Sequence, residues 1–172
     1  MLPAQAIEPS LQGGDMMEIT LRPFTDSDVP MFTRWLGMPH VAPWYSHPAD
    51  WLTEVAGRNG EFNWIQHFII CAGQQPIGFC QYYPYWRSGE DWQGSLPLTG
   101  SYSLDYLIGE PSFLRKGYAG CALRLLCRQV FACPDAARII VQPEPENYAS
   151  CKTLLSAGFC YDAPDRLYLL DR

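Results

Sequence analysis

Two kinds of chemistry share the stretch SYSLDYLIGEPSFLRKGYAG, residues 101–120. The first is an acid in an apolar run. Over SYSLDYLIG a period of two places Ser101, Ser103, Asp105 and Leu107 on one face of a strand and Tyr102, Leu104, Tyr106 and Ile108 on the other. The second face is expected to pack more deeply, so Asp105 points toward a partly polar surface. An ionised carboxylate drawn from water costs free energy unless it is partnered, and its presence asks for a reason. That reason is either chemistry or a place facing solvent or capping a loop. The second kind of chemistry is anion binding. Gly117 and Gly120 let the backbone turn several N–H groups into one small space. The helix that follows adds its unpaired N-terminal N–H groups and the positive end of its dipole, with Arg115 and Lys116 alongside. A phosphate or pyrophosphate fits such a loop. The glycine spacing is neither that of a Walker loop nor that of a dinucleotide fingerprint, and a plain strand-to-helix turn with surface basics is the alternative.

The elements that must position these residues read as follows. EITLRPF (18–24) is a strand; Thr25, Asp26 and Asp28 open a helix through VPMFTRWL. Residues 37–48, rich in Pro and aromatics, form an irregular loop before a short helix over 49–58. WIQHFIICA (64–72), a GQQ turn and PIGFCQYYPYW (76–86) make a hairpin, and a second irregular loop covers 87–100. A strand over 101–109, an amphipathic helix over 117–132, a buried strand over 137–143, an Asn147-led helix closed by Gly158 and a strand over 166–170 complete the chain. The order β-α-α-β-β-β-α-β-α-β contains a crossover that makes two strands parallel, while the hairpins are antiparallel. This predicts an α/β fold, a mixed central sheet with helices on both faces.

The 172 residues suffice for one domain with a real core. With 48% apolar and 17% charged residues the chain has a globular composition. A net charge of −6, with ten Arg and two Lys, argues against nucleic acid or an anionic membrane and suits a cationic ligand or plain solubility. The seven cysteines have neither C-x-x-C pairing nor His neighbours at metal-ligand spacing, so no metal is expected. They fit buried thiols in a reducing cytoplasm, with Cys151 the one candidate for a reactive thiol. No apolar run is long enough to span a membrane. The N-terminus has no signal-peptide character. Residues 1–16 read as a flexible extension and 17–172 as the domain.

The segment from about 101 to 159 resembles the acetyl-CoA-dependent N-acetyltransferase (GNAT) superfamily. The likeness rests on G-Y-A-G after a strand ending L-I-G, then a buried strand, then an Asn-led helix ending A-G-F. The resemblance implies a GNAT fold in which the strand before the loop splays from its parallel neighbour and the pantetheine arm lies in the opening. By it, Leu107, Ile108 and Gly109 face the pantetheine, and Arg115, Lys116, Gly117, Tyr118, Ala119 and Gly120 wrap the pyrophosphate. Asn147 contacts acetyl-CoA near its thiol. Asp105 then has a task. At pH 7 an alkylammonium of pKa about 10 is neutral in on the order of one molecule in a thousand. A carboxylate beside the thioester holds the ammonium and takes its proton, directly or through water. A strand-edge N–H such as that of Leu107 is the expected oxyanion donor.

HVAPWY (40–45), PIGFCQYY (76–83), SGEDWQ (88–93) and SLDYLIG (103–109) look like the aminoglycoside 6′-N-acetyltransferase branch. That likeness implies Asp105 as the carboxylate on the reactive amine, with Glu90 and Trp92 lining the substrate. Trp44 and Tyr45 form the opposite wall, and Asp165 is a further binding acid. The protein would take a small cationic amine in the cytoplasm, as a monomer or homodimer, by direct attack in a ternary complex. Three positions depart from the pattern. Leu154 stands where many members have a Tyr that protonates the leaving thiolate, leaving Tyr148 as the nearest donor in sequence or departure as thiolate. Arg115 and Ala119 stand where many have Gly, and Gln93 replaces the second aromatic of a Trp pair. Rival readings are an acyltransferase for another amine (hydroxylysine in siderophore synthesis, a polyamine or a protein amine) and a non-catalytic acyl-CoA-binding module. His40, His47 and His67 stand alone, and His67, inside a strand, reads as structural.

Overall fold

The computed structural model describes residues 16–172, so the extension expected over 1–16 lies outside the described residues except for Met16. The chain runs β1 (Ile19–Pro23), α1 (Val29–Leu36), α2 (Pro48–Ala56), β2 (Gln66–Ala72), β3 (Gln75–Pro84), β4 (Ser101–Ile108), α3 (Tyr118–Phe131), β5 (Arg138–Val141), α4 (Tyr148–Ser156), β6 (Cys160–Asp162) and β7 (Leu167–Asp171). One sheet holds all seven strands in the order β1-β2-β3-β4-β5-β7-β6. Among the described residues, only β4 and β5 run parallel, since the connection between them is the helical crossover through α3. Among the described residues, no helix is long and apolar enough to cross a membrane.

The start of α1 forms as its sequence requires. The Asp28 carboxylate accepts the Thr25 N–H at 2.8 Å and pairs with Arg22 at 2.7 Å, and the Arg22 hydrogen bond holds its pKa below the usual carboxylate value. α3 buries Tyr118, Ala122, Leu123, Leu126, Cys127 and Val130, one stripe at helical spacing. That stripe covers the sheet face carrying Ile70, Cys80, Tyr102, Leu104 and Ile139, where Leu154 of α4 is also buried. α1 and α2 cover the other face, with Phe32 stacked on Phe79 at 4.2 Å between centroids and Trp35 fully buried. Helices therefore lie on both faces, as the element order predicts.

β6 is the one strand absent from the sequence reading. It is three residues long, too short to show a period, and forms by pairing with β7 after Gly158 (φ +99°) turns the chain out of α4. α4 itself stops at Ser156, with Ala157 as its cap and Gly158 just beyond.

Candidate active site

β4 pairs with β5 only at Ser101 and Tyr102, opposite Arg138 and Ile139. Beyond that point the two strands separate, while β4 stays in register with β3 from Tyr102 to Ile108. A cavity of about 670 Å³ occupies the opening. It takes in Asp105 and Leu107 from the α1–α2 face of β4 and Tyr106 and Ile108 from the α3 face, so it passes through the sheet.

Strand alternation decides which backbone groups face this opening. Gly109 N–H donates to Ile77 O, which makes that pair a hydrogen-bonded one. Counting back in register, Leu107 and Asp105 direct their N–H and C=O groups to β3, and Tyr106 and Ile108 direct theirs toward β5. The Tyr106 carbonyl accepts from Tyr45 Oη at 2.6 Å, and the Ile108 carbonyl meets His40 Nε2 at 2.9 Å. Side chains of the 37–47 loop thus occupy carbonyls that no strand takes. The Leu107 N–H lies against β3, which corrects its expected use as the oxyanion donor. The N–H groups turned to the cavity are those of Tyr106 and Ile108.

On the α1–α2 face, Asp105 lies at the floor. Gln81 of β3 is directly opposite it, and His67 of β2 is directly opposite Gln81. Gln81 Nε2 donates to Asp105 Oδ2 at 3.0 Å and reaches Glu54 Oε2 at 3.5 Å. Asp105 keeps some surface in the cleft, but protein surrounds its other sides. Burial raises its pKa to about 7; the Gln81 hydrogen bond opposes this, and the charges of Glu54 and Glu90 add to it. Burial also raises the pKa of Glu54, against the Gln81 hydrogen bond, with Glu90 and Asp50 contributing. Trp44, Tyr45, Glu90 and Trp92 also line the cavity. Trp92 is braced edge-on against the buried Tyr85 at 4.7 Å, and Tyr45 packs on Trp51 at 4.9 Å.

On the other face the cavity meets Arg115, Gly117, Tyr118, Ala119 and Gly120 at the start of α3, and Asn147 and Ser150 at the start of α4. Gly117 caps α3 with φ +83°, and Arg115 shares the left-handed region at φ +59°. The Asn147 side chain accepts from Ser150 N at 3.2 Å and caps α4. A strand gap with free amide edges and a 14-residue helix aimed by its N-terminus fit the pantetheine and pyrophosphate of coenzyme A.

Some expected residues lie elsewhere. Gly109 is off the cavity wall, and a side chain there would collide with the Trp35 indole. Lys116 sits with Nζ over the Phe113 ring at 5.9 Å and does not line the cavity. Asp165 accepts from Ser95 N at 3.1 Å and Ser95 Oγ at 2.6 Å, tying the 87–100 loop to the turn before β7. Tyr148 is 70% exposed and off the cavity. Tyr106, which lines the cavity, reaches α4 with its hydroxyl 2.9 Å from Ser150 Oγ. Sequence reading did not single out His40, Glu54, Gln81 or Tyr106 for the site. Gln81 stood in the quoted PIGFCQ strand; Glu54 left no signal beyond an acid on a short helix.

The Acetyltransferase (GNAT) domain family matches residues 25–164. An aminoglycoside N(6′)-acetyltransferase type 1 of Klebsiella pneumoniae is 26% identical over 151 residues, covering 82% of this chain and 73% of that protein. One of the same name from Serratia marcescens matches equally. The crystal structure of aminoglycoside acetyltransferase AAC(6′)-Ib with coenzyme A superposes with a TM-score of 0.77 at 26% identity, covering 90% of this chain and 95% of that one. A structure of the same enzyme with coenzyme A and kanamycin gives 0.76. The splayed strands, the loop at the head of α3 and the family match over most of the chain agree: the chain belongs to the GNAT family of acetyl-CoA-dependent N-acetyltransferases.

Proposed function

We propose that this protein moves the acetyl group of acetyl-CoA to the 6′ primary amine of an aminoglycoside, by direct attack in a ternary complex. The observation that carries this reading is Asp105. It is a carboxylate at the floor of an acidic, aromatic-walled cleft, two residues along the strand from the edge where the cavity crosses the sheet. Named relatives that act on aminoglycosides support the acceptor class.

Acetyl-CoA supplies a thioester activated toward amines. Glu54 and Glu90 draw a polycation into the cleft, and Trp44 and Trp92 offer flat faces to sugar rings. Asp105 holds the reacting ammonium and takes its proton. The Tyr106 and Ile108 N–H groups stand on the cavity side of β4, where charge develops on the acetyl oxygen. Burial raises the Tyr106 hydroxyl's pKa, so it keeps its proton and offers a hydrogen bond to the departing sulfur. All seven cysteines are free thiols, in keeping with a reducing cytoplasm.

Thiol release from acetyl-CoA, measured with a panel of amines, tests the acceptor. Aminoglycosides with a 6′ amine should release thiol, and those with a 6′ hydroxyl, lysine-like amines and polyamines should not. NMR of the product should show acetylation at 6′. Release with the simple amines alone would sink the proposal. With Asp105 titrating at about 7, kcat/KM should fall about tenfold per pH unit below that value, because protonated Asp105 cannot accept a proton.

The anion loop has its own test. Arg115→Gly suits the left-handed backbone there and should leave stability within about 1 kcal/mol of wild type. Losing the guanidinium should weaken coenzyme A binding about tenfold, the size of one charge-assisted contact, and leave S-acetylpantetheine binding unchanged. Calorimetry with both ligands reads the difference.

A further inference from the structure

Among the described residues, two buried side-chain nitrogen or oxygen atoms have no hydrogen-bond partner: His67 Nε2 and Gln81 Oε1. They belong to directly opposed residues of β2 and β3, on the face that also presents Asp105. His67 is 6% exposed and Gln81 2%. Opposed side chains in an antiparallel pair start about 5 Å apart at Cβ, so one donor and one acceptor here can satisfy each other by a side-chain rotation or across one water. Leaving both bare is costly.

His67 is neutral at physiological pH, since burial, and then the charge of Arg58, hold its pKa down at about 4. A neutral imidazole carries one N–H and exists as two tautomers. Gln81 Nε2 is already committed to Asp105 and Glu54. We propose that His67 is a positioning residue for Asp105: as the Nε2–H tautomer it donates to Gln81 Oε1 and so holds the Gln81 amide with its NH₂ group toward the two carboxylates.

The reason such a brace matters is the symmetry of an amide. Turned by half a rotation, Gln81 would present its oxygen to Asp105 and Glu54, and like partial charges would raise the cost of an ionised Asp105. A donor on the far side removes that alternative. The other groups around Asp105 are Tyr45, Tyr83, Glu54 and Glu90, and Arg58 faces His67; none of them hydrogen-bonds Gln81 Oε1. The inference rests on Asp105 as the base of the proposed reaction, and its test needs neither acetyl-CoA nor an acceptor.

The Asp105 carboxyl carbon would be followed through a ¹³C NMR pH titration of the free protein, the signal assigned by its loss in Asp105→Asn. His67→Phe should move the midpoint upward by about half a pH unit, a roughly threefold change in proton affinity. Gln81→Leu should move it further in the same direction. His67→Gln, which returns an N–H near the place of Nε2, should bring it back toward wild type. At pH 9, where an ionised Asp105 has no proton to offer Gln81, ¹⁵N NMR should find the His67 proton on Nε2. A His67→Phe midpoint coincident with wild type, or a proton on Nδ1 at pH 9, overturns the proposal. If the Phe variant does not fold, the wild-type tautomer decides. Midpoint shifts as expected, with turnover undiminished in Asp105→Asn, would overturn Asp105 as the base, and with it His67 as a positioning residue for the reaction.

Discussion

Asp105→Asn is expected to lower turnover by about 10²- to 10⁴-fold, the span of a positioned general base, while acetyl-CoA binds as before. It is also expected to make the protein more stable. Burial lifts the Asp105 pKa from 3.8 to about 7, so the folded state binds this proton more tightly than the unfolded chain does. Stability then falls as pH rises between those two values, and the full penalty is present above about pH 7. Asn carries no charge and escapes it. Asp105 is partly open to the cleft, where water screens part of this cost, and a gain of about 1–2 kcal/mol at pH 8 is expected. At about pH 2.5 or below, where the carboxyl is protonated in both states, the gain vanishes. Thermal melts at the two pH values, beside steady-state kinetics, check both halves. A variant that loses activity and stability together would mean that Asp105 holds the fold, and the catalytic reading would go.

Gly78→Ala is expected to cost about 3 kcal/mol or more, the upper range for overpacking, because nothing near the new methyl can yield. An added Cβ at Gly78 would overlap the Leu107 carbonyl oxygen and crowd Ile108 Cα, both backbone atoms of the neighbouring strand. β3 and β4 would have to part at the stretch of β4 that faces the cavity, so coenzyme A affinity should fall along with stability. Gly120 makes the contrast. A Cβ there meets only Arg124 Nη1 at 3.6 Å, an ordinary contact, and the site lies inside α3. Gly120→Ala should stabilise by about 0.5–1 kcal/mol through helix propensity, and any penalty should fall on pyrophosphate affinity instead. Denaturant melts and ligand titrations of the pair separate a glycine needed for strand approach from one needed for ligand approach.

Much of the framework was legible because it is local. The Thr25–Asp28 start of α1, the apolar stripe of α3, the Asn147 cap of α4 and the hairpin of β2 and β3 each follow from residues within a few positions of one another. The crossover that makes β4 and β5 parallel follows from chain order. Asp105 and the Arg115–Gly120 loop could be picked out for a similar reason: a lone acid in an apolar strand and a glycine-flanked basic turn are anomalies at short range.

What could not be read was whatever depends on residues distant in the chain meeting. Glu54 reaches Asp105's surroundings through Gln81, 27 residues further on. His40 and Tyr45 occupy β4 carbonyls across separations of 68 and 61 residues. Leu107 and Tyr106 are neighbours on one strand, yet their amides face opposite ways, and which one meets the cavity was set by the pairing of Gly109 with Ile77. Even the ionisation of Asp105 is of this kind. Residue type makes it an acid, but burial, with Glu54 and Glu90 nearby and against the Gln81 hydrogen bond, lifts its pKa to about 7. Identity and spacing are written along the chain, and so were the acid, the glycine-flanked basic turn and the order of the elements. Register, facing direction and proton affinity are properties of space shared by separate segments, and they came into being only when the sheet closed around them.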